Sequence, residues 1–297
     1  MGTMRLGKSD FILLFFINTA VILLLIVIVY PLIYVISCSI SSPDLVSAGK
    51  IWLLPRGLNI LGYKRVFQDP AILTGYRNTI LYTFFGTMIN LIVTVPAGYS
   101  LSKSFIPGRN IIMGIFLFTM YFSGGLIPTF ILVSSLGLFN NPLVLVILGA
   151  FSVYNSIICR TFFSAVPKEM EEAAMIDGAS PSRTFFQIVL PVSQALLGVM
   201  VLYFAVGHWN SYFNAMIYIV KDSIKPLQLI LRRILILETT SAAMMEAGAD
   251  EYMGELYQVR ELIKYAVIVV SSLPVLIMYP FLQKYFNKGV MLGSVKG

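Results

Sequence analysis

Charge is scarce in this 297-residue sequence: Asp, Glu, Lys and Arg together supply 12% of it, about half the share of an ordinary soluble domain, while 58% is hydrophobic. With a mean hydropathy of +0.84, that surface cannot be hidden inside a water-soluble globule, so the natural solvent for most of it is lipid. Histidine occurs once, at His208, and no His/Glu or Cys/His cluster accompanies it, which leaves a metalloenzyme centre without ligands. The letters of a G-x-x-x-x-G-K-[ST] phosphate loop occur once, as "GTMRLGKS" at Gly2–Ser9, but they lead straight into a long apolar run and not into a βαβ nucleotide-binding unit, so ATP hydrolysis by this chain itself is not expected. Cysteine occurs twice. Cys38 falls near the outer end of one apolar run and Cys159 near the inner end of another, so the two are expected on opposite membrane faces, unbridged and serving as small apolar packing groups. The net charge of +7 comes from basic residues scattered at run ends, where they meet anionic headgroups. No basic stripe tracks a phosphate backbone, so nucleic acid is not an expected partner.

Long apolar runs are abundant. Six are long enough to cross ~30 Å of hydrocarbon as helix. They cover Phe11–Ile36, Thr79–Leu101, Ile111–Val133, Leu143–Phe163, Ala195–Val220 and Tyr265–Leu282. None holds an Asp, Glu, Lys or Arg in its middle, and Arg77 and Arg160 lie at or near run ends. Ion-coupled carriers usually place an ionisable group near the midplane, so this absence argues against a secondary carrier. A membrane-embedded hydrolase or transferase would need a catalytic pair that the sequence does not offer. Arg5 and Lys8 precede the first run as in a signal peptide, but the apolar stretch is too long and no small-residue cleavage site follows. It is expected to be a retained span.

Total charge does not orient the chain, but its short loops do. "SKSFIPGRN" between the second and third runs carries Lys103 and Arg109, whereas "SSLGLFNNP" between the third and fourth carries no charge. With six spans, both termini are then cytoplasmic, together with the tail 284–297 that holds Lys284, Lys288 and Lys296. The outer segment 37–78 is expected to pack as short helices and turns. The outer segment 221–264 shows apolar residues at helical spacing with Arg232, Arg233, Glu255, Arg260 and Glu261 among them. It reads as amphipathic helix outside the bilayer, either a solvated cap or a docking surface. No internal repeat or linker divides the chain, which is expected to be one membrane domain over residues 1–297.

One polar stretch interrupts the apolar pattern, "EEAAMIDGASPSRTFFQIVLP" from Glu171 to Pro191. Pro167 can open a helix over Lys168–Asp177, with Glu169, Glu171 and Glu172 in its early turns, where carboxylates complement the helix N-terminus. Gly178 suits a left-handed terminating position, after which Ser180 can cap and Pro181 can open a second helix that Pro191 interrupts. The result is a two-helix knob on the cytoplasmic side. Left alone, this reads as an interfacial elbow that re-aims the chain.

The spacing of "EAAMIDG", nine residues and "IVLP" resembles the EAA signature of ATP-binding-cassette importer permeases. The matching positions are Glu172, Ala173, Ala174, Gly178, Ile188, Leu190 and Pro191. "SGGLIPTFILV", "GHWNSYFNA" and the tail "KGVMLGSVKG" are similar to maltose-type carbohydrate permeases, in particular the branch that imports complex oligosaccharides, and the resemblance covers the whole chain. It implies an all-α polytopic membrane protein with six transmembrane helices and the type I ATP-binding-cassette importer permease fold, in the bacterial cytoplasmic membrane. It implies that the loop 165–191 is a coupling helix seated in a separate ATPase, with Ala173 and Ala174 allowing close approach and Glu172 meeting an arginine. The tail from Gly289 to Gly297 is similar to one that reaches between the ATPases. The implied partners are a second, different permease, two ATPase subunits that bind ATP and Mg, and an external solute-binding protein. The chain itself would bind no cofactor and be no enzyme; it would import carbohydrate, or another polar solute of the same importer type.

Residues for a sugar path are few. "HWNSYFN" places His208, Trp209, Asn210, Tyr212 and Asn214 in one polar and aromatic segment, and helical spacing puts Asn210 and Asn214 on one face. Aromatic faces and amides suit sugars, and amides are costly to leave in lipid. A lone histidine in a span is equally a hydrogen-bonded packing group. In "MYFSGGLIP", Gly124, Gly125 and Pro128 weaken the helix beside Tyr121 and Ser123, which marks either a packing kink or a lined cavity.

Overall fold

Lipid offers a backbone no hydrogen-bond partners, so spanning segments must satisfy their own N–H and C=O groups. The computed structural model describes residues 8–246 and 262–280, and among the described residues every regular element is helical. Two compact units form among them. One is built from residues up to Asp69 with Arg233–Ser272, the other from Pro70–Arg232 with residues from Leu273 on.

In the first unit, helix α1 (Lys8–Ser39) is apolar on every side. Its 32 residues reach ~48 Å, enough to cross a bilayer even when tilted. None of its most apolar 18-residue window is buried, so its side chains are presented to lipid. The segment after it folds as short helices and turns, α2 (Pro43–Ser47) and α3 (Leu61–Gln68). Serines tie it down: Ser37 donates from Oγ to the Leu53 carbonyl at 2.6 Å, and Ser39 Oγ lies 2.7 Å from the Tyr63 hydroxyl. Cys38, Val46 and Ile51 make a small core with Leu262.

The second unit is organised around α4 (Pro70–Ser102). Its helix begins at Pro70 and not at the Thr79 expected from hydropathy, because the polar residues that read as loop are buried with partners. Asn78 donates to the carbonyls of Ser223 and Lys225 at 2.9 and 3.0 Å, and Thr79 Oγ1 accepts from the Leu227 N–H at 2.8 Å.

Three runs expected to be continuous are broken. The third divides into α5 (Arg109–Tyr121) and α6 (Leu126–Ser135), bent by 110°, with Gly125 between them at φ 88°. The fourth divides into α7 (Leu143–Ile147) and α8 (Val153–Ser164), the latter capped by Ser152, whose Oγ accepts from the Asn155 N–H. After α9 (Lys168–Ile176) and α10 (Pro181–Thr184), a π turn at Phe185–Val189 leads into α11 (Leu190–Val192). Pro191 has no N–H to continue the ladder, and the chain bends by 83° into α12 (Gln194–Trp209). The fifth run then breaks again, with α13 (Phe213–Tyr218) following a gap. A 3₁₀ turn at Asp222–Ile224 precedes α14 (Leu227–Glu246), which realises the helix expected in 221–264, although Glu255, Arg260 and Glu261 lie outside the described residues. The last described helix is α15 (Leu262–Pro280). Among the described residues, then, three single helices are long and apolar enough to cross a membrane, and two bent pairs pass the same test together.

Helices α8 and α12 pack against α4 around Val95, Cys159, Phe163, Phe185, Leu196, Met200 and Phe204. Glycines admit them. A Cβ on Gly98 would lie 2.4 Å from the Cβ of Cys159, and one on Gly86 would lie 2.4 Å from the His208 ring. His208 is held there by Asn90: its Nε2 lies 2.7 Å from Asn90 Oδ1, and the Asn90 amide donates to the Gly149 carbonyl. Gly86→Ala is expected to destabilise the detergent-solubilised protein by about 1–3 kcal/mol through overpacking. Thermal unfolding checks this, and the loss should shrink in a His208→Ala background, where the clashing ring is gone.

Candidate functional site

The polar stretch folds as the expected knob, and its stiffness comes from its ends. Helix α9 starts after Pro167 with Glu169 and Glu171 in its first turn, where their charge complements the N-terminal dipole. It ends in a Schellman motif. The Gly178 N–H donates to the Met175 carbonyl at 3.0 Å and the Ala179 N–H to the Ala174 carbonyl at 2.9 Å, with Gly178 left-handed at φ 80°. Two residues on, Ser180 is extended and its Oγ accepts from the Arg183 N–H at 3.3 Å, while Pro181 opens α10. Arg183 Nε then donates to Gln187 Oε1 at 2.9 Å. Phe185 and Val189 bury themselves beside Cys159 and Phe163, so the second arm of the knob is rooted in the helical core.

Exposure sorts the motif residues into two sets. Glu172, Ala173, Met175, Ile176 and Asp177 face outward, and Ile176 is 86% exposed. An apolar side chain held bare at the tip of a capped helix marks a surface that a partner can cover. Ala174 faces the other way. The sequence reading placed both alanines against a partner, but Ala174 is buried at 5% exposure and its carbonyl closes the Schellman motif, so only Ala173 lies on the open face. Ile188 and Leu190 are half-buried and Pro191 is exposed at the bend before α12.

Glu171 was missed by sequence reasoning. It is buried and ion-paired with Lys103, whose ammonium also lies 4.3 Å over the Tyr99 ring. The signal was present: successive helical residues point ~100° apart, so Glu171 and Glu172 cannot share one face. A cavity of about 490 Å³ opens beside the pair, lined by Phe105, Arg109, Lys168 and Glu172 among others. Among the described residues no group of three or more His, Cys, Asp and Glu side chains could hold a metal ion.

The candidate path residues do not converge. His208 is tied to Asn90, and Trp209 is buried with its ring 6.1 Å from that of Tyr76. Asn210 and Asn214 do not share a helical face, because α12 ends at Trp209: Asn210 caps it and turns its amide back to the Val206 carbonyl at 3.0 Å, while Asn214 belongs to α13. Tyr212 lies exposed between them with the Arg232 guanidinium 5.5 Å from its ring centroid. Tyr121 and Ser123 are exposed at the bend between α5 and α6. The tail residues Gly289 and Gly297 lie outside the described residues.

Apolar helices, repeated breaks and a capped two-helix elbow define a multi-pass helical membrane protein. The chain belongs to the family of binding-protein-dependent transport system inner membrane components, whose sequence profile matches residues 71–291. It is 38% identical over 273 residues to Protein LplC of Bacillus subtilis (strain 168), covering 91% of this chain and 90% of that one. It is also 38% identical over 271 residues to the polygalacturonan/rhamnogalacturonan transport system permease protein YtcP of the same organism, with 91% and 93% covered. A crystal structure of a bacterial ABC transporter involved in the import of the acidic polysaccharide alginate contains a chain that superposes with a TM-score of 0.84 at 34% identity, covering 96% of this chain and all of that one. The chain is therefore a transporter permease subunit. Replacing Gly178 by Ala is expected to cost roughly 1 kcal/mol at its left-handed backbone. Amide hydrogen exchange checks it: residues 174–182 should exchange several-fold faster, with the α4 and α12 amides unchanged.

Proposed function

We propose that this chain is one of two different permease subunits of an importer for oligosaccharides released from complex polysaccharides, driven by two separate ATPase subunits and fed by an external solute-binding protein. The observation that carries the reading is the open face of α9: Glu172, Ala173 and Ile176 stand exposed on a helix capped at its C-terminal end, rooted through Phe185 and Val189. A carboxylate beside small and apolar side chains suits a cleft that offers an arginine and apolar walls. The matched relative and structural neighbour that transport polygalacturonan/rhamnogalacturonan and alginate support a polysaccharide-derived substrate.

In this reading the chain crosses the bacterial cytoplasmic membrane six times with both termini cytoplasmic, the loop 165–191 seats in one ATPase, and the tail 284–297 reaches between the ATPases. ATP and Mg bind the partners, not this chain. Closure of the ATPases moves α9, and the spans reorient between inward- and outward-open states. ATP and the loaded binding protein drive the cycle through their differential affinity for those states. His208 and Trp209 hold α12 to α4, and the exposed Tyr212, Asn210, Tyr121 and Ser123 are the candidates that remain to face a sugar path completed by the second permease.

The test is ATP hydrolysis by the reconstituted complex, with and without binding protein and candidate oligosaccharides. Glu172→Ala is expected to lower stimulation by the loaded binding protein about tenfold or to release the ATPases, as when one partner of an interfacial charge pair is truncated. Unchanged assembly and stimulation would reduce the knob to an elbow and defeat this assignment.

A further inference from the structure

Two carboxylates begin the motif, and the structure gives them opposite surroundings. Glu172 is exposed, whereas Glu171 is 8% exposed. A buried carboxylate is retained only where a charge and hydrogen bonds replace its water. Lys103 provides them, its own side chain 14% exposed. Lys103 is the residue directly after α4, and its N–H still donates to the Ser100 carbonyl at 3.1 Å, so its charge is an extension of that helix. Beneath it the Tyr99 ring packs 4.6 Å from the ring of Phe185 and 5.5 Å from that of Phe163, in the core shared with α8 and α12.

The main packing of α9 is not against α4. Helix α9 rests on α10 and the π turn, and on the side where Lys103 and Glu171 meet lies the cavity of about 490 Å³. A push on α9 can collapse into that space or be carried to α4 past it, and the ion pair on its lining is a direct link between the two. From α4 the displacement has rigid routes onward, through Gly98 to Cys159 of α8 and through Asn90 to His208 of α12.

We propose that Lys103 and Glu171 form a charged strut that transmits movement of the knob into α4. Both are positioning residues: they touch neither sugar nor nucleotide and act through α4. The proposal rests on the reading of the knob as the ATPase-docking element, and it separates the adjacent carboxylates into one that meets the partner and one that meets the chain's own helix.

The experiment uses the complete complex in proteoliposomes and reads sugar transported per ATP hydrolysed, beside assembly and basal hydrolysis. Lys103→Met and Glu171→Gln are expected to keep the ATPases bound and hydrolysing while transport per ATP falls about tenfold, within the range of allosteric couplings. Lys103→Arg and the exchanged pair Lys103→Glu/Glu171→Lys are expected to restore the ratio. A wild-type ratio in the single variants overturns the strut, as does an exchanged pair that assembles without recovering it. Loss of the ATPases in the single variants with recovery in the exchanged pair also overturns it, since the pair would then serve assembly alone. Failure of the docking reading shows elsewhere, in a Glu172→Ala complex indistinguishable from wild type.

Discussion

A Cβ at Gly86 would sit 2.4 Å from the His208 ring, and one at Gly98 would sit 2.4 Å from the Cβ of Cys159, so α12 and α8 reach α4 only because both positions lack a side chain. The other features of this unit depend on that approach. It lets His208 find Asn90 and lets Asn90 hold the Gly149 carbonyl, one polar chain linking three segments. It also brings Phe163, Phe185 and Val189 together over Val95, which seats the second arm of the knob. Lipid supplies little apolar driving force between helices, so close contact and buried polar links must do the holding.

The knob itself is stiff for local reasons. A Schellman turn, a serine cap and two prolines fix its backbone between Pro167 and Arg183, the turn and the cap satisfying groups that a helix end would otherwise leave open. Stiffness matters because a displacement at the tip reaches the base only if the intervening turns do not absorb it. The exposed Ile176 and the buried Glu171 then stand on opposite sides of one stiff element, one open to the surroundings and one turned to the protein.

Much of this was legible beforehand. Pro167, Gly178, Ser180 and Pro181 are local signals, and local signals predicted the knob's two helices and its turn. Composition pointed to lipid as the solvent, apolar runs of about twenty residues pointed to helices crossing it, and the family resemblance implied the all-α fold. The breaks were harder. Hydropathy reports that a run is apolar and not whether it is straight, so α5 and α6 read as one span although Gly124 and Gly125 marked the spot. Asn210 and Asn214 misled for the same reason: a helical repeat was extended across a point where Asn210 turns back on Val206 and ends the helix. The start of α4 was set too late because Arg77 and Asn78 are polar, and the partners of Asn78 lie about 145 residues away where no local window reaches. Glu171 was passed over because its partner, Lys103, is also far away in sequence and close only in space.

The 110° turn between α5 and α6 has a cost of its own. Residues 122–125 lie outside both helices, inside a segment that hydropathy assigns to the membrane interior, and irregular backbone at that depth must be shielded by protein or by water in a protected cavity. The flanking helices meet part of this need: Thr129 Oγ1 donates to the Gly125 carbonyl at 2.7 Å, and the Phe122 N–H donates to the Phe118 carbonyl at 2.9 Å. The bend therefore ties the chain to its surroundings: its remaining irregular backbone is accommodated only where protein or confined water, and not hydrocarbon, lies beside it.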